Sequence, residues 1–471
     1  MAPTDGNRGV IAGPSAGLAR YFRVADRGST VRTEIVAGVT TWLTMAYILF
    51  VNPAALGQVK DQAGTTLQFP QVLSVTALVA GVITIGMGLY ANYPFALAAG
   101  LGLNAFVTFG LVATDHLTWP DAMGVIVAEG ALITVFVVTG LREAVLDAIP
   151  MDLKRAIGIG IGLFIAFIGL VNAGVVVKFA GTDTPPVKIV DDFRTWPLLV
   201  FVVGLVLTST LVARRMRGAL LLGIVGTTIV ATIVNEAKHL SVFTDGSAAW
   251  PHKIVASPDF SLVGNFSFGF VGSLGFWTAL AVVISVMLSD FFDTMGTVIG
   301  IAGEAKLLDS EGRLPGMNKV LLVDSLAAVA GGVCSSSSNT TYIESASGVS
   351  EGGRTGLTSV VVGVLFLAAL FLSPIAGVVP KVATAPVLVI VGYFMMTIVK
   401  DIEWSEPAMG IPALLTIGLM PFTYSITNGV GAGFVSYTLI ALLRGKGRDV
   451  HPLMFAVAAI FAWYFIHGVV G

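Results

Sequence analysis

Cysteine is almost absent from this chain, and charge is scarce. One cysteine, Cys334, stands among 471 residues, which excludes an internal disulfide framework and leaves the redox compartment open. Only 11% of the residues are charged, against roughly 25% in soluble domains. The net charge of −2 supplies no basic balance for nucleic acid, and no nucleic-acid partner is expected. No GxxxxGK(S/T) loop occurs, so an ATP-driven pump is excluded. No GxGD motif occurs either. Asp290 and Asp293 share one apolar span, so two span-borne aspartates on separate helices, as an intramembrane aspartyl protease needs, are not offered by this pair; no enzyme activity is expected. Residues 1–32 are polar and basic with no apolar region near the start, as in a cytoplasmic tail and unlike a cleaved signal peptide.

What is present is apolar. Hydrophobic residues make up 55% of the chain, the mean hydropathy is +0.88, and runs long enough to span a bilayer recur throughout. The sequence predicts an all-α polytopic membrane protein with fourteen spans, at about 33–55, 71–91, 96–114, 121–141, 152–176, 196–213, 218–234, 275–303, 318–334, 340–352, 356–378, 384–399, 409–425 and 428–444. A further apolar stretch, 452–470, is open between a crossing and an interfacial segment. Lysine and arginine collect in alternate connections, among them Arg214, Arg215 and Arg217, and Arg444, Lys446 and Arg448. That bias places the N-terminus inside and the long connection 235–270 outside.

The stretch 334–356, CSSSSNTTYIESASGVSEGGRTG, is polar and small between two apolar spans. Thr340, Thr341, Tyr342 and Ile343 favour an extended piece, and the small residues after Glu344 can start a helix. A strand joined to a half-helix is tolerated at membrane depth only where it lines a cavity or is buried in protein. It is also how secondary transporters build midplane sites. The polar, glycine-containing span 96–114 mirrors 340–352 in position, and 197–230 echoes 412–443 in spacing. Seven spans per half is an odd number, so the second half is predicted to be inverted.

Few ionisable residues fall inside the spans. Asp290 and Asp293 are spaced i, i+3 and so share a helix face; a carboxylate in hydrocarbon costs at least ~2.5 kcal/mol and is expected to face a cavity. Glu344 is placed where the half-helix begins, and burial and the half-helix dipole act on its proton affinity in opposite senses. Asn104, after Gly100 and Gly102, offers donor and acceptor together. Glu129 lies inside a span with its role open. Trp42, Tyr47, Phe95 and Phe291 can stack on a flat ligand, though core packing is the plainer reading of each. GIGIG at 158–162 reads as helix packing.

The motifs TTWLTMAYILFVNP (40–53), AAGLGLNAF (98–106), SDFFDTMGT (289–297), TTYIESASGVSEGGRTGLTSV (340–360) and LMPFTYSITNGVGAGFVSY (419–437) resemble those of nucleobase–cation symporters of the nucleobase–ascorbate transporter superfamily. The nearest branch is the adenine–guanine–hypoxanthine permeases, and the resemblance runs from about 17 to 470. It implies two inverted seven-span repeats with short strands in spans 3 and 10. It also implies a core domain, 33–141 with 275–378, and a gate domain, 152–234 with 384–444, joined by an extracellular connection at 235–274. By the same resemblance Asn104, Asp290, Asp293 and Glu344 stand at the polar positions linked to purine binding and transport; Thr341, Tyr342 and Phe95 are expected beside Asn104, Asp290 and Glu344 in binding a purine nucleobase. Asp290, Asp293 and Glu344 are expected to carry the coupling, with H+ as the coupling ion and no cofactor or metal. Relatives of the pyrimidine type have Glu and His where this chain has Asp290 and Thr294, which speaks against uracil. The resemblance favours a bacterial inner membrane and leaves room for a homodimer. The competing cargo on the same fold is an anion of the sulfate or bicarbonate type, which two carboxylates would repel.

Overall fold

Thr30 opens the first long helix, its hydroxyl accepting from the Thr33 amide at 3.1 Å, a side-chain cap for an otherwise orphaned donor. The computed structural model describes residues 14–141, 148–178, 187–238, 243, 247–251, 253–309 and 313–468. After α1 (Pro14–Tyr21) come α2 (Val31–Met45), α3 (Ile48–Leu56) and α4 (Phe69–Gly86), strand β1 (Leu97–Ala99), the short helix α5 (Leu101–Ala105) prolonged by π-helical turns to Thr114, and α6 (Trp119–Thr139). Next are α7 (Met151–Asn172), the antiparallel pair β2 (Val176–Lys178) and β3 (Val187–Ile189), α8 (Trp196–Ala213) and α9 (Ala219–Lys238). Then follow α10 (Phe270–Leu274), α11 (Phe276–Glu304), α12 (Met317–Val333), β4 (Asn339–Thr341) and α13 (Ser345–Ser350). The chain ends in α14 (Gly356–Ala369), α15 (Ser373–Ala376), α16 (Lys381–Met396), α17 (Pro407–Thr423), α18 (Ile426–Leu443) and α19 (Pro452–Gly468).

Among the described residues, 10 helical stretches are long and apolar enough to cross a membrane. Three shorter apolar helices, Leu101–Thr114, Pro407–Thr423 and Pro452–Ile466, accompany them. The segments read as spans at 96–114 and 340–352 are not continuous helices: each starts as a three-residue strand and becomes helical only afterwards. The first expected span is also divided, with Tyr47 at the step between α2 and α3. The stretch 452–470 is helical in its described part and packs on α18 and α11.

Packing joins helices far apart in sequence. α2 and α4 lie against α14, and α6 against α12. α7 lies against α16 and α17, and α8 against α9 and α16. The α7–α16 contact needs glycine on both sides: a Cβ on Gly162 would stand 2.9 Å from the Gly392 carbonyl oxygen, and one on Gly392 2.4 Å from that of Gly162. The GIGIG segment therefore serves close helix approach, as small residues do in membranes.

The connection from 235 to 270 is tied down more than its length suggests. The Ala256 amide donates to Phe371 O at 3.0 Å, Gly264 to Val333 O at 2.8 Å and Ser267 to Pro120 O at 2.8 Å. Lys253 is exposed on it, while His252 lies outside the described residues. Lys253→Ala is expected to leave uptake within error of wild type, since exposed substitutions away from such ties shift stability by about 0.5 kcal/mol or less. Loss of uptake at normal membrane expression would assign this connection a part in transport.

Candidate functional site

The two strands meet each other. β1 and β4 pair antiparallel, with Leu97 opposite Thr341, Ala98 opposite Thr340 and Ala99 opposite Asn339. Flanking bonds extend the pairing: the Tyr342 amide donates to Ala96 O and the Gly100 amide to Ser338 O, each at 2.9 Å. A two-stranded sheet has two outer edges, and buried in a membrane protein neither can turn to water. Side chains from neighbouring helices close both. Thr84 on α4 accepts from the Leu97 amide at 2.9 Å and donates to the Leu97 carbonyl at 3.1 Å. Asp324 on α12 closes the β4 edge. Its Oδ1 accepts from the Thr341 amide at 2.8 Å and the Thr341 hydroxyl at 2.7 Å, and its Oδ2 accepts from the Thr294 hydroxyl at 2.7 Å.

Asp324→Ala would leave the buried Thr341 amide without an acceptor. An unsatisfied buried donor costs about 1–3 kcal/mol, so a lower thermal midpoint and loss of transport are expected, with partial rescue by Asp324→Asn, which keeps an acceptor oxygen. A midpoint equal to wild type for the alanine variant would show that the β4 edge does not depend on Asp324.

Beyond the strands, Gly100 and Glu344 stand at the starts of α5 and α13. The Ser345 hydroxyl accepts from the Ala96 amide at 3.0 Å and stitches the two units together. Next to this junction, and bounded on the other side by α7 and α16, lies a cavity with about 640 Å³ of empty space, its open mouth included. Its apolar wall is Leu101, Ile161, Val391 and Met395, and its polar groups come from Tyr47, Asp290, Asp293, Thr340, Thr341 and Glu344. Among the described residues no lysine or arginine lines it. The Tyr47 hydroxyl donates to Glu344 Oε1 at 2.6 Å, which fixes that carboxylate. Asp290 is almost fully buried; Oδ2 accepts from the Ser338 hydroxyl at 3.0 Å and Oδ1 has no partner. Asp293, one helical turn on, is exposed on the cavity side. The Tyr342 hydroxyl donates to the Ala99 carbonyl, and its ring lies 6.5 Å from that of Tyr47.

Of the residues expected from sequence, Asp290, Asp293, Thr341, Tyr342 and Glu344 are brought together at this cavity. Phe95 and Asn104 do not line it. Extended backbone alternates its side chains, so Phe95 falls on the same side as Leu97, in an apolar cluster with Met87, Ile301 and Val349, its ring stacked on Tyr93 at 5.4 Å. Asn104 is fully buried on α5, and neither amide atom has a partner. Trp42 and Phe291 pack against Phe366 and Phe292, in keeping with core packing. Asp324 is not among the residues expected from sequence, although a carboxylate in the middle of VLLVDSLAAVAGG is itself a signal. Tyr47, whose plainer reading from sequence is core packing, meets Glu344 instead; nothing local to Tyr47 announces a partner 297 positions away.

A carboxylate-lined cavity between two strand–helix units, inside a bundle of long apolar helices, is the build of a multi-pass membrane transporter. The comparisons place the chain more narrowly. It belongs to the nucleobase–ascorbate transporter family, and residues 32–432 match that model, Xan_ur_permease, described as "Permease family". Adenine permease AdeQ of Escherichia coli (strain K12) is 38% identical over 462 residues, 97% of this chain and 98% of that protein. Guanine/hypoxanthine permease PbuG of Bacillus subtilis (strain 168) is 36% identical over 452 residues, 95% of this chain and 99% of that protein. Among solved structures, the transmembrane domain of a cyanobacterium bicarbonate transporter, BicA, superposes with a TM-score of 0.57 at 14% identity, covering 87% of this chain and 97% of that one. At that identity the likeness is one of fold alone.

Proposed function

We propose that this protein takes up purine nucleobases, hypoxanthine, guanine or adenine, by proton-coupled symport. The observation that carries the reading is the lining of the cavity. Carboxylates of Glu344, Asp290 and Asp293 face a space walled by aliphatic side chains, and among the described residues no lysine or arginine lines that space; Lys154 stands at the adjoining space that Asp293 also borders. A neutral flat base presents ring N–H donors that carboxylates accept, and its faces fit the aliphatic wall. An anion meets repulsion there. The adenine and guanine/hypoxanthine permeases in the family, similar over nearly the whole chain, support the same substrate class, whereas the likeness to the bicarbonate transporter extends to fold only.

In this reading Glu344, held by Tyr47, accepts from the base. Thr341 and Tyr342 shape the floor, and Asp290 joins the base site to the coupling proton. Asn104 acts from behind the cavity wall, and Asp293 faces the mouth. The helices that pack as α2, α4, α6, α11, α12 and α14 form the core domain, 33–141 and 275–378. Those that pack as α7, α8, α9, α16, α17 and α18 form the gate, 152–234 and 384–444. Fourteen crossings in two inverted repeats, with a cytoplasmic N-terminus in the inner membrane, are proposed with it; the antiparallel meeting of β1 and β4 is what two inverted repeats would give. The cavity walls come from both sets of helices, so sliding of the core against the gate would expose the base to each side in turn, an elevator-type exchange. The test is competition. Unlabelled hypoxanthine, guanine and adenine should displace labelled hypoxanthine in vesicles, and sulfate and bicarbonate should not. Transport of sulfate with none of hypoxanthine would overturn the assignment.

A further inference from the structure

We infer that Glu129 is a proton-carrying residue of the transport cycle, seated behind the base cavity and joined to it through Ser338 and Asp290. The inference rests on the proton-coupled reading above and names a residue that this reading does not use.

Glu129 stands in the middle of α6 and is fully buried. Neither of its carboxylate oxygens has a hydrogen-bond partner, and it does not line the base cavity. The titratable groups that face it are themselves acids: Asp290 on α11 and Asp324 on α12 lie within electrostatic reach. The other elements packed on α6, the π-helical turns Phe106–Thr114 and helix α10, contain no titratable residue. None of the ion pairs seen among the described residues involves any of the three acids. Three buried negative charges without a cation are not a stable arrangement, because isolated buried charge is neutralised before it is tolerated. Asp324 is the best satisfied of the three, accepting three hydrogen bonds. Glu129 has only the Ser338 hydroxyl beside it, and that hydroxyl is given to Asp290 Oδ2, so Glu129 is the group whose anion is least solvated and whose protonated form gains most, by turning its O–H to an acceptor.

An acceptor is at hand. Ser338 lies beside Glu129, and its hydroxyl donates to Asp290 Oδ2 at 3.0 Å, which leaves the serine oxygen free to accept. Protonated Glu129 can give its proton to Ser338 Oγ while Ser338 gives its own to Asp290 Oδ2. One O–H bond breaks and one forms at each step, and the negative charge passes from Asp290 to Glu129. Ser338 also accepts the Gly100 amide through its carbonyl, so the relay is built into the junction of the two strand–helix units.

The test uses the purified, reconstituted full chain. Infrared difference spectra between mildly acidic and mildly alkaline buffer should show a carboxylic-acid C=O band that titrates in wild type and is missing in Glu129→Gln. In the same variant, base accumulation under an imposed pH gradient should fall at least roughly tenfold, within the usual range of coupling energies. Hypoxanthine binding should stay within about twofold, a difference well under 1 kcal/mol, which also reports an intact fold. Glu129→Asp should keep the band and gradient-driven accumulation with a displaced pH profile. A Glu129→Gln protein that keeps the full titrating band, or accumulates base like wild type, overturns the inference. If wild type shows the Glu129 band yet ignores the pH gradient, the proton seat stands and the proton-coupled reading of transport fails.

Discussion

Glu344→Gln is expected to weaken hypoxanthine binding by at least roughly tenfold, the equivalent of the 1.5–3 kcal/mol or so that a hydrogen bond to a charged group contributes in a buried site. Glu344 stands where β4 gives way to α13, one oxygen is already engaged by Tyr47 at 2.6 Å, and the side chain lines the cavity. Glutamine keeps the shape and the Tyr47 contact, because its carbonyl oxygen still accepts. What it loses is the charge and one acceptor toward the ligand. Tyr47→Phe should weaken binding less, because it frees the carboxylate without removing it. Isothermal titration of the detergent-purified variants with hypoxanthine checks both, and an unchanged affinity in a folded Glu344→Gln protein would remove Glu344 from the site.

The second large effect belongs to Asp290. Asp290→Asn should abolish concentrative uptake while exchange of base across the membrane survives. Asparagine still accepts from Ser338, so the local structure is preserved, but it neither takes up nor releases a proton at neutral pH. Bound base and bound proton must then cease to influence one another, since any coupling between two ligands is reciprocal. Asp293 and Asp290 stand on one helix a turn apart, and both line the cavity. Counterflow of labelled hypoxanthine against unlabelled base measures exchange, and uptake under a gradient measures accumulation. Equal loss of both in a folded variant would make Asp290 a binding residue with no special part in coupling.

How far the chain could be read from its sequence follows from the range of the forces involved. Hydropathy is a local sum, so the apolar segments are legible, and the break in 340–352 is announced by TTYIES, whose β-branched and aromatic residues disfavour a continuous helix. The i, i+3 pair Asp290 and Asp293 is legible for the same reason, because both belong to one helix. What joins distant segments is not. Asp324 closing the edge of β4, Tyr47 reaching Glu344, and Thr84 holding Leu97 each depend on which helix becomes whose neighbour. The ring of Phe95 is suited to stacking on a flat ligand, yet the two-residue period of extended backbone turns it to the side of Leu97. Asn104 carries the right chemistry for a base, but on α5 its side chain is fully buried and does not line the cavity. Glu129 is visible as a charge in an apolar run; only the structure shows that its charged neighbours are acids and that, among the described residues, no cation pairs with it.

The most direct measurement is uptake of labelled hypoxanthine into proteoliposomes with an imposed pH gradient, acidic outside, in sodium-free buffer. Accumulation above the external concentration is predicted, abolished when a protonophore removes the gradient and suppressed by guanine or adenine but not by sulfate. Equal accumulation with and without the gradient, or a strict requirement for sodium, would contradict the account.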